Sequence, residues 1–189
     1  MIHTLFRDAL LLMLVVLVAC LAFMIKYMAD PTPATPADIK SPGSIIVTAV
    51  WPEGDNDVDI WLNAPGEEHP VSYRHKGGKV WDLLRDDLGT KDDPTPLNYE
   101  NAYTRGEPPG EYTINAMCYR CFDHMPIDVT VTVQEKEDDG RLITIVDSVV
   151  HLTRDRQELT ASDFTVGPDM HIDPTTLNTL YKPLYTEKL

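Results

Sequence analysis

The sequence predicts a mainly β protein, in which a single N-terminal transmembrane helix is followed by an antiparallel β-sandwich. Three observations support this fold class. Residues 9–25 carry no charged side chain, residues 30–43 are rich in proline, and apolar and polar residues alternate with a period of two after Ser44. We therefore divide the chain into four parts. These are a membrane anchor (residues 1–29), a linker (30–43), a periplasmic β-sandwich domain (44–166) and a C-terminal tail (167–189).

The apolar stretch is long enough to cross a bilayer. At 1.5 Å per residue, residues 9–25 span roughly 26 Å, and a helix that begins at Thr4 spans about 33 Å, against a hydrocarbon core of ~30 Å. Asp8 then lies about one turn inside the N-terminal end of the helix. Three interpretations of this segment are open: a cleaved secretory signal, a lipoprotein signal, and an uncleaved anchor with its N-terminus in the cytoplasm.

The residues around Cys20 bear on the choice between these interpretations. Leu17-Val18-Ala19-Cys20 fits the lipobox pattern, with Cys20 as the acylated residue, but the following residues 21–25 are all apolar, whereas lipoproteins usually continue with small or polar residues. Asp8 cancels the charge of Arg7, which disfavours a cleaved signal. We expect an uncleaved single-pass anchor in the bacterial inner membrane, with the C-terminal domain in the periplasm.

The linker and the strands follow in order. Residues 30–43 read DPTPATPADIKSPG and predict a semi-extended spacer of roughly 40 Å at ~3.1 Å per residue. Strands are predicted at 45–51, at 57–62 with Val58, Ile60 and Leu62 facing the core, and near 69–74, 79–84, 111–119, 127–135, 142–151 and 157–166. Roughly seven or eight short strands without a helical period predict a sandwich. The tail is either a final edge segment on the sandwich or a loose segment that docks a partner.

The charge limits the partners of the exported domain. The chain has 16 Lys and Arg residues against 30 Asp and Glu residues, a formal net charge of −14. Such a surface repels phosphate backbones, so we expect no nucleic acid as a partner. It suits solubility, cation binding or docking to a basic protein face.

One group of acidic residues has the composition of a cation site. Asp55, Asp57 and Asp59 project from the same face of one predicted strand, and further acidic side chains could approach them: Asp86, Asp87 and Glu100. Carboxylate oxygens suit Ca²⁺, although the spacing differs from that of an EF-hand loop. Aspartates at strand ends also cap turns through backbone N–H groups, which is the alternative interpretation. Calcium at Asp55, Asp57 and Asp59 is the only cofactor that the sequence suggests.

The cysteines and histidines give little support for catalysis. Cys118 and Cys121 form one Cys-x-x-Cys pair, too few thiols for a four-thiolate zinc site, and in an oxidising compartment we expect a local disulfide. A reduced pair or a redox role is the alternative. The histidines are scattered, and the sequence has neither an HExxH nor a GxSxG motif. We therefore expect no enzyme activity.

The N-terminal residues carry a resemblance to a known family. The stretch TLFRDALLLMLVV at residues 4–16 resembles the single helix of the ExbD/TolR biopolymer-transport family, to which MotB-type stator subunits are related. The resemblance implies that Asp8 is the ion carrier of a homodimer within a ring of MotA/TolQ/ExbB-type subunits. An isolated acid in an apolar span is a functional candidate on physical grounds also. Arg7 stands where the family has an apolar residue, and an Asp8 placed at the membrane interface is the alternative.

The exported domain carries a second resemblance. Several segments of this domain resemble the YfaP-like bacterial β-sandwich family. They are Asp57 to Leu62 with Pro65-Gly66, Asp86-Asp87 with Gly89, Glu100-Asn101, and the run PPGEYT at residues 108–113. The resemblance implies a fold and no enzyme activity.

The leading hypothesis for the whole chain is an ion-carrying, partner-coupling subunit of an ExbD/MotB-like motor, whose periplasmic domain acts on a protein or envelope target. The alternative is a membrane- or lipid-anchored periplasmic binding or structural module without ion transport.

Overall fold

The computed structural model describes residues 2–28, 43–89, 97–122 and 125–185, and the chain divides into two compact units, Met1–Lys40 and Ser41–Leu189. In the first unit, helix α1 runs over Ile2–Met28. Its segment His3–Leu21 is long and apolar enough to cross a membrane, a property that single-pass anchors share with signal sequences. The predicted linker falls almost entirely on residues 29–42, which lie outside the described residues.

The described residues of the second unit form nine strands in two antiparallel sheets. The strands are β1 (Ile45–Trp51), β2 (Asp57–Asn63), β3 (Trp81–Arg85), β4 (Asn98–Thr104), β5 (Gly110–Arg120), β6 (Ile127–Lys136), β7 (Leu142–Leu152), β8 (Glu158–Val166) and β9 (Ile172–Asn178). One sheet has the order β3-β4-β1-β6-β7 and the other the order β2-β5-β8-β9. The predicted fold class, a single N-terminal helix with a mainly β remainder, is confirmed.

The period-two pattern of the sequence produces the core between the sheets. In β1 and β6 the alternate residues are buried and the residues between them are partly or fully exposed. Val58, Ile60 and Leu62 of β2 are fully buried in this core, as their alternation predicts. Tyr112 and Phe164 stack within it at a centroid distance of 5.5 Å. Burial of these apolar side chains, worth roughly 25 cal/mol per Å², is the main force that holds the sheets together.

Three segments differ from the predicted strands. Strand β4 was not predicted because its inward side chains include Asn98 and Glu100, which a hydropathy pattern rates as surface residues. Strand β9 lies in the tail, for which the sequence left an edge segment or a loose segment open, and it pairs with β8 as the edge of its sheet. Residues 69–74 form only isolated bridges, one of them in a tight turn between Ser72 and His75.

A C-terminal strap, residues 179–185, covers the second side of the β2-β5-β8-β9 sheet. Leu184 packs there on Trp61 and Met117, in a cluster separate from the core between the sheets. The strap is fastened at several points, because Asn115 Nδ2 donates to the Lys182 carbonyl at 2.8 Å and the Lys182 N–H donates to Thr160 Oγ1 at 3.0 Å. This sheet is therefore buried on both sides near β2.

Candidate metal centre

A buried group of carboxylates lies beside β2, the edge strand of the four-stranded sheet. Asp59 of β2, Glu100 of β4 and Asp86, which follows β3, each place one potential ligand atom within 4.8 Å of the other two. Glu100 is fully buried and Asp59 is 2% exposed. Among the described residues, no other set of three acidic, histidine or cysteine side chains converges this closely.

Each of the three carboxylates keeps one oxygen without a hydrogen-bond partner. Glu100 Oε2 accepts the backbone N–H of Ile60 at 2.7 Å, and Asp86 Oδ2 pairs with Lys76 Nζ at 2.8 Å. As carboxylates, the oxygens Glu100 Oε1, Asp86 Oδ1 and Asp59 Oδ2 are buried without a described hydrogen-bond donor, and a shared proton would join Glu100 to Asp86. Unsatisfied buried oxygens are rare in folded proteins, so the group is suited to holding either protons or a cation.

The segment after β3 fixes the position of Asp86. The neighbouring carboxylate of Asp87 accepts the Gly89 N–H at 3.0 Å and the Tyr99 N–H at 3.1 Å, and it also pairs with Arg85 at 2.8 Å. Gly89 has a φ of +72°, and a Cβ at this position would lie 3.0 Å from the carbonyl oxygen of Asn56. This close, left-handed turn requires glycine. Asp87 is therefore satisfied as a structural residue, while Asp86 faces the cluster.

The cluster has the electrostatics of buried acids whose charges the nearby cations balance only in part. Burial, followed by repulsion from Asp59, raises the pKa of Glu100 well above its usual range. Burial and then repulsion from Asp57 raise the pKa of Asp59 in the same direction. The pKa of Asp57 rises to about 6, chiefly through burial, although the Arg120 guanidinium opposes the shift. The carboxylates therefore need either protons or a cation to stay together.

The structure places the three sequence-predicted calcium ligands differently. Asp59 belongs to the converging group. Asp57 is buried beside it, with Oδ1 unpartnered, but does not join the three ligand atoms. The side chain of Asp55 is 63% exposed and lies 3.7 Å from Arg120, outside the group. Asp86 and Glu100 complete the group instead, because the fold brings β4 and the end of β3 to the edge of β2.

A disulfide lies next to the carboxylates. The structure joins Cys118, near the end of β5, to Cys121. Cys121 Sγ lies 3.7 Å from the carbonyl oxygen of Asp57, and its N–H donates to Asp155 Oδ1 at 3.0 Å. The bridge therefore supports the segment from which Asp57 and Asp59 extend.

The ligand chemistry of the carboxylate group suits calcium. The three ligand atoms all lie within 4.8 Å of one another, which is close enough for one ion to contact all three. Ca²⁺ binds carboxylate oxygens at about 2.3–2.6 Å and accepts several carboxylates in flexible geometry. Mg²⁺ needs shorter distances and usually keeps several waters with only one or two carboxylates, which a buried group of three suits less well.

The helix places Asp8 beside a cation. Both Nε and one terminal nitrogen of Arg7 lie 3.4 Å from Asp8 Oδ1, and the two side chains are 70% and 63% exposed. Cys20 is a free, exposed thiol on the same helix.

Comparisons of the chain with models of known protein families, with curated proteins and with solved structures found no match.

Proposed function

We propose that the chain is a membrane-anchored binding module whose exported β-sandwich holds a calcium ion between Asp59, Asp86 and Glu100. The observation that carries the proposal is the convergence of three carboxylates, each of which keeps one buried oxygen without a hydrogen-bond donor. The helix Ile2–Met28 acts as the single-pass anchor in the bacterial inner membrane, and the sandwich functions in the periplasm.

The charges of the site support a divalent cation. Three ionised carboxylates would bring three negative charges into a buried space, which Lys76 alone does not balance. A Ca²⁺ ion compensates two more charges, and it also supplies the electrostatic partner that the three orphan oxygens lack. Because ligands must be deprotonated to bind, calcium should displace protons from the raised-pKa acids Asp59 and Glu100.

The role of the ion is structural support for binding, without catalysis. It links β2 of one sheet with β4 and the end of β3 of the other sheet, so it closes the sandwich at its β2 edge. Extracellular calcium modules bind with dissociation constants of about 10⁻⁴–10⁻³ M, and we expect an affinity in this range or tighter.

Calcium titration of the full chain tests the proposal. The purified protein in nanodiscs is stripped with EDTA and titrated in a calorimeter, alongside Glu100→Gln and Asp55→Asn. We expect about one ion per chain, and at least tenfold weaker binding in Glu100→Gln, because a charged ligand is lost. Asp55→Asn is the matched control, since it removes the same charge from an exposed position and should change the affinity less than about threefold. Absence of saturable binding in the original protein would rule the calcium site out.

A second candidate function concerns Asp8. An ion-carrying role in an ExbD/MotB-like motor is supported by the position of this carboxylate within the apolar segment His3–Leu21. In this proposal two copies of the helix sit in a ring of MotA/TolQ/ExbB-type subunits, and the sandwich engages a periplasmic protein or envelope target. The adjacent Arg7 favours the first proposal, because a local ion pair at the membrane interface accounts for Asp8 without transport.

A further inference from the structure

A pocket beside the C-terminal strap combines arginines and tyrosines on this acidic chain. It lies between the β7–β8 turn and the C-terminal strap and has a volume of about 430 Å³. Its lining comprises two arginines, two tyrosines, one acid and two further residues: Arg154, Arg156, Tyr181, Tyr185, Glu158, Gln157 and Leu159. Its lining residues carry two guanidinium groups and one carboxylate, with the Asp155 carboxylate 3.9 Å from Arg156, although the chain carries a net charge of −14.

The two arginines are available to a ligand in different ways. The side chain of Arg154 is exposed, and within the described part of the chain it makes no hydrogen bond or ion pair. Arg156 lies with its guanidinium carbon 4.2 Å from the ring centroid of Tyr119, and its nearest acid oxygen, on Asp155, is 3.9 Å away. Stacking on the ring orients this guanidinium while leaving its donors free to form paired hydrogen bonds.

The backbone of the turn holds Arg156 in an unusual conformation. Its φ is +60°, in the left-handed region that residues other than glycine adopt rarely. Two backbone hydrogen bonds fix the turn, from the Arg156 N–H to the Cys118 carbonyl at 2.9 Å and from the Gln157 N–H to the Arg154 carbonyl at 3.3 Å. Such conformations concentrate at ligand sites, where the surrounding structure maintains them.

Glu158, the acid that lines the pocket, already has hydrogen-bond partners for both carboxylate oxygens. Glu158 Oε1 accepts the N–H groups of Leu184 and Tyr185 at 2.9 and 3.0 Å and the Asn115 amide at 2.7 Å. Its Oε2 lies 3.3 Å from the Tyr181 hydroxyl. Glu158 thus fastens the strap and does not pair with Arg154 or Arg156, both of which line the pocket.

From this arrangement we propose that the pocket binds a small organic anion, with a carboxylate or phosphate group on a ring-shaped body. The planar guanidinium groups of Arg154 and Arg156 match the paired oxygens of these anions. Tyr181, which is 58% exposed, supplies a flat amphipathic face for the ring, and Leu159 supplies an apolar wall. Tyr185 completes the lining, although Trp61 and Arg74 already contact its ring. The charge of Arg156 also acts on Asp57 and Asp59, where it opposes the rise in pKa, so the pocket is tested without calcium and through Arg154.

Phenyl phosphate and benzoate serve as probes of this pocket. The full chain in nanodiscs of neutral phosphatidylcholine is titrated by calorimetry in EDTA, so that no calcium can bridge the phosphate to the protein. We expect both probes to bind with dissociation constants of about 1 mM or below, and benzyl alcohol, the neutral analogue, to bind at least tenfold more weakly.

Two charge-matched variants identify the site. Arg154→Gln should weaken phenyl phosphate binding at least tenfold. Arg141→Gln removes an exposed arginine from another turn, where it pairs with Asp139, and should change binding less than twofold. The proposal is overturned if neither probe binds at about 10 mM, if benzyl alcohol binds as well as the anions, or if Arg154→Gln binds like the original protein.

Discussion

The carboxylate of Glu100, on β4, accepts the backbone N–H of Ile60, on β2, at 2.7 Å, and so connects the two sheets of the sandwich. This contact holds a fully buried acid in place with its second oxygen directed to Asp59 and Asp86. An isolated buried charge is costly, and its pKa is raised well above the usual range for that reason. The contact therefore fixes the position of this carboxylate, while the burial of its charge lowers the stability of the protein when no cation is bound.

The first prediction is that Glu100→Gln stabilises the calcium-free protein. The amide can still accept the Ile60 N–H, and its NH₂ group can donate to the orphan oxygens of Asp59 and Asp86. At pH 7.5 in EDTA we expect a gain of about 1–3 kcal/mol in the free energy of unfolding, measured with urea. Added calcium should no longer stabilise this variant. Glu53→Gln, at an exposed loop position, is the control and should leave both quantities unchanged.

The second prediction concerns pH. Asp57, Asp59 and Glu100 have folded-state pKa values above their unfolded values, so between these values the folded protein binds more protons than the unfolded chain. The free energy of unfolding must then fall as pH rises. For Asp57 this loss begins near pH 4 and is largely complete above its raised pKa of about 6. We expect the melting temperature in EDTA to be several degrees lower at pH 7.5 than at pH 5, and calcium to reduce the difference. A melting temperature that rises over this interval in EDTA would contradict the electrostatics described here.

The third prediction distinguishes the titration of Glu107 from the titration of Asp57, Asp59 and Glu100. Glu107 is buried, its Oε1 has no partner among the described residues, and burial with repulsion from Glu135 raises its pKa to about 7. Glu107→Gln removes this titration, so it should stabilise the protein at pH 8 and have little effect at pH 5. Calcium affinity should be unchanged, because Glu107 does not belong to the converging group of Asp59, Asp86 and Glu100. Thermal unfolding at the two pH values, with and without calcium, measures both effects.

The fourth prediction tests the C-terminal strap. Leu184 is 7% exposed on Trp61 and Met117, so Leu184→Ala should lower the free energy of unfolding by about 2–3 kcal/mol. Leu180→Ala deletes the same atoms from a side chain that is 77% exposed, and it should cost less than about 0.5 kcal/mol. Urea unfolding monitored by tryptophan fluorescence compares the two. Equal costs would mean that the strap does not cover the sheet in solution.

The sequence was sufficient to predict the β-sandwich, because β2 and β6 alternate apolar and polar residues clearly and turn residues separate the strands. It was insufficient for β4, where the inward Glu100 looks like a surface residue, and it left β9 open, since its pairing with β8 depends on tertiary contacts. Of the predicted calcium ligands Asp55, Asp57 and Asp59, only Asp59 belongs to the converging group, and the sequence named Asp86 and Glu100 only as acids that could approach it. Which acids converge depends on how β3 and β4 reach the edge of β2, and no local pattern contains that information.

The fifth prediction distinguishes the two candidate functions through Asp8 and Asp59. Asp8→Asn removes the titratable group from the helix at nearly constant volume, and Asp59→Asn does the same in the carboxylate centre. Each variant is introduced into a strain that lacks the gene, and the phenotype of the deletion is scored after membrane insertion and expression have been checked. Under the calcium proposal Asp8→Asn restores function fully, since loss of an exposed pair with Arg7 costs at most about 1 kcal/mol, whereas Asp59→Asn does not restore it.

The opposite pattern would support the motor. If Asp8→Asn is inserted and expressed normally but fails to restore function, an ionisable group in the membrane segment is required, as an ion carrier needs. Asp8→Glu should then retain partial function, because it keeps a carboxyl group on a longer side chain. Arg7→Leu should be tolerated or mildly favourable, since removal of the local partner allows the carboxyl to lie deeper in the bilayer. If the two single variants Arg7→Leu and Asp8→Asn both lose function, the ion pair itself is needed, and neither proposal predicts that result.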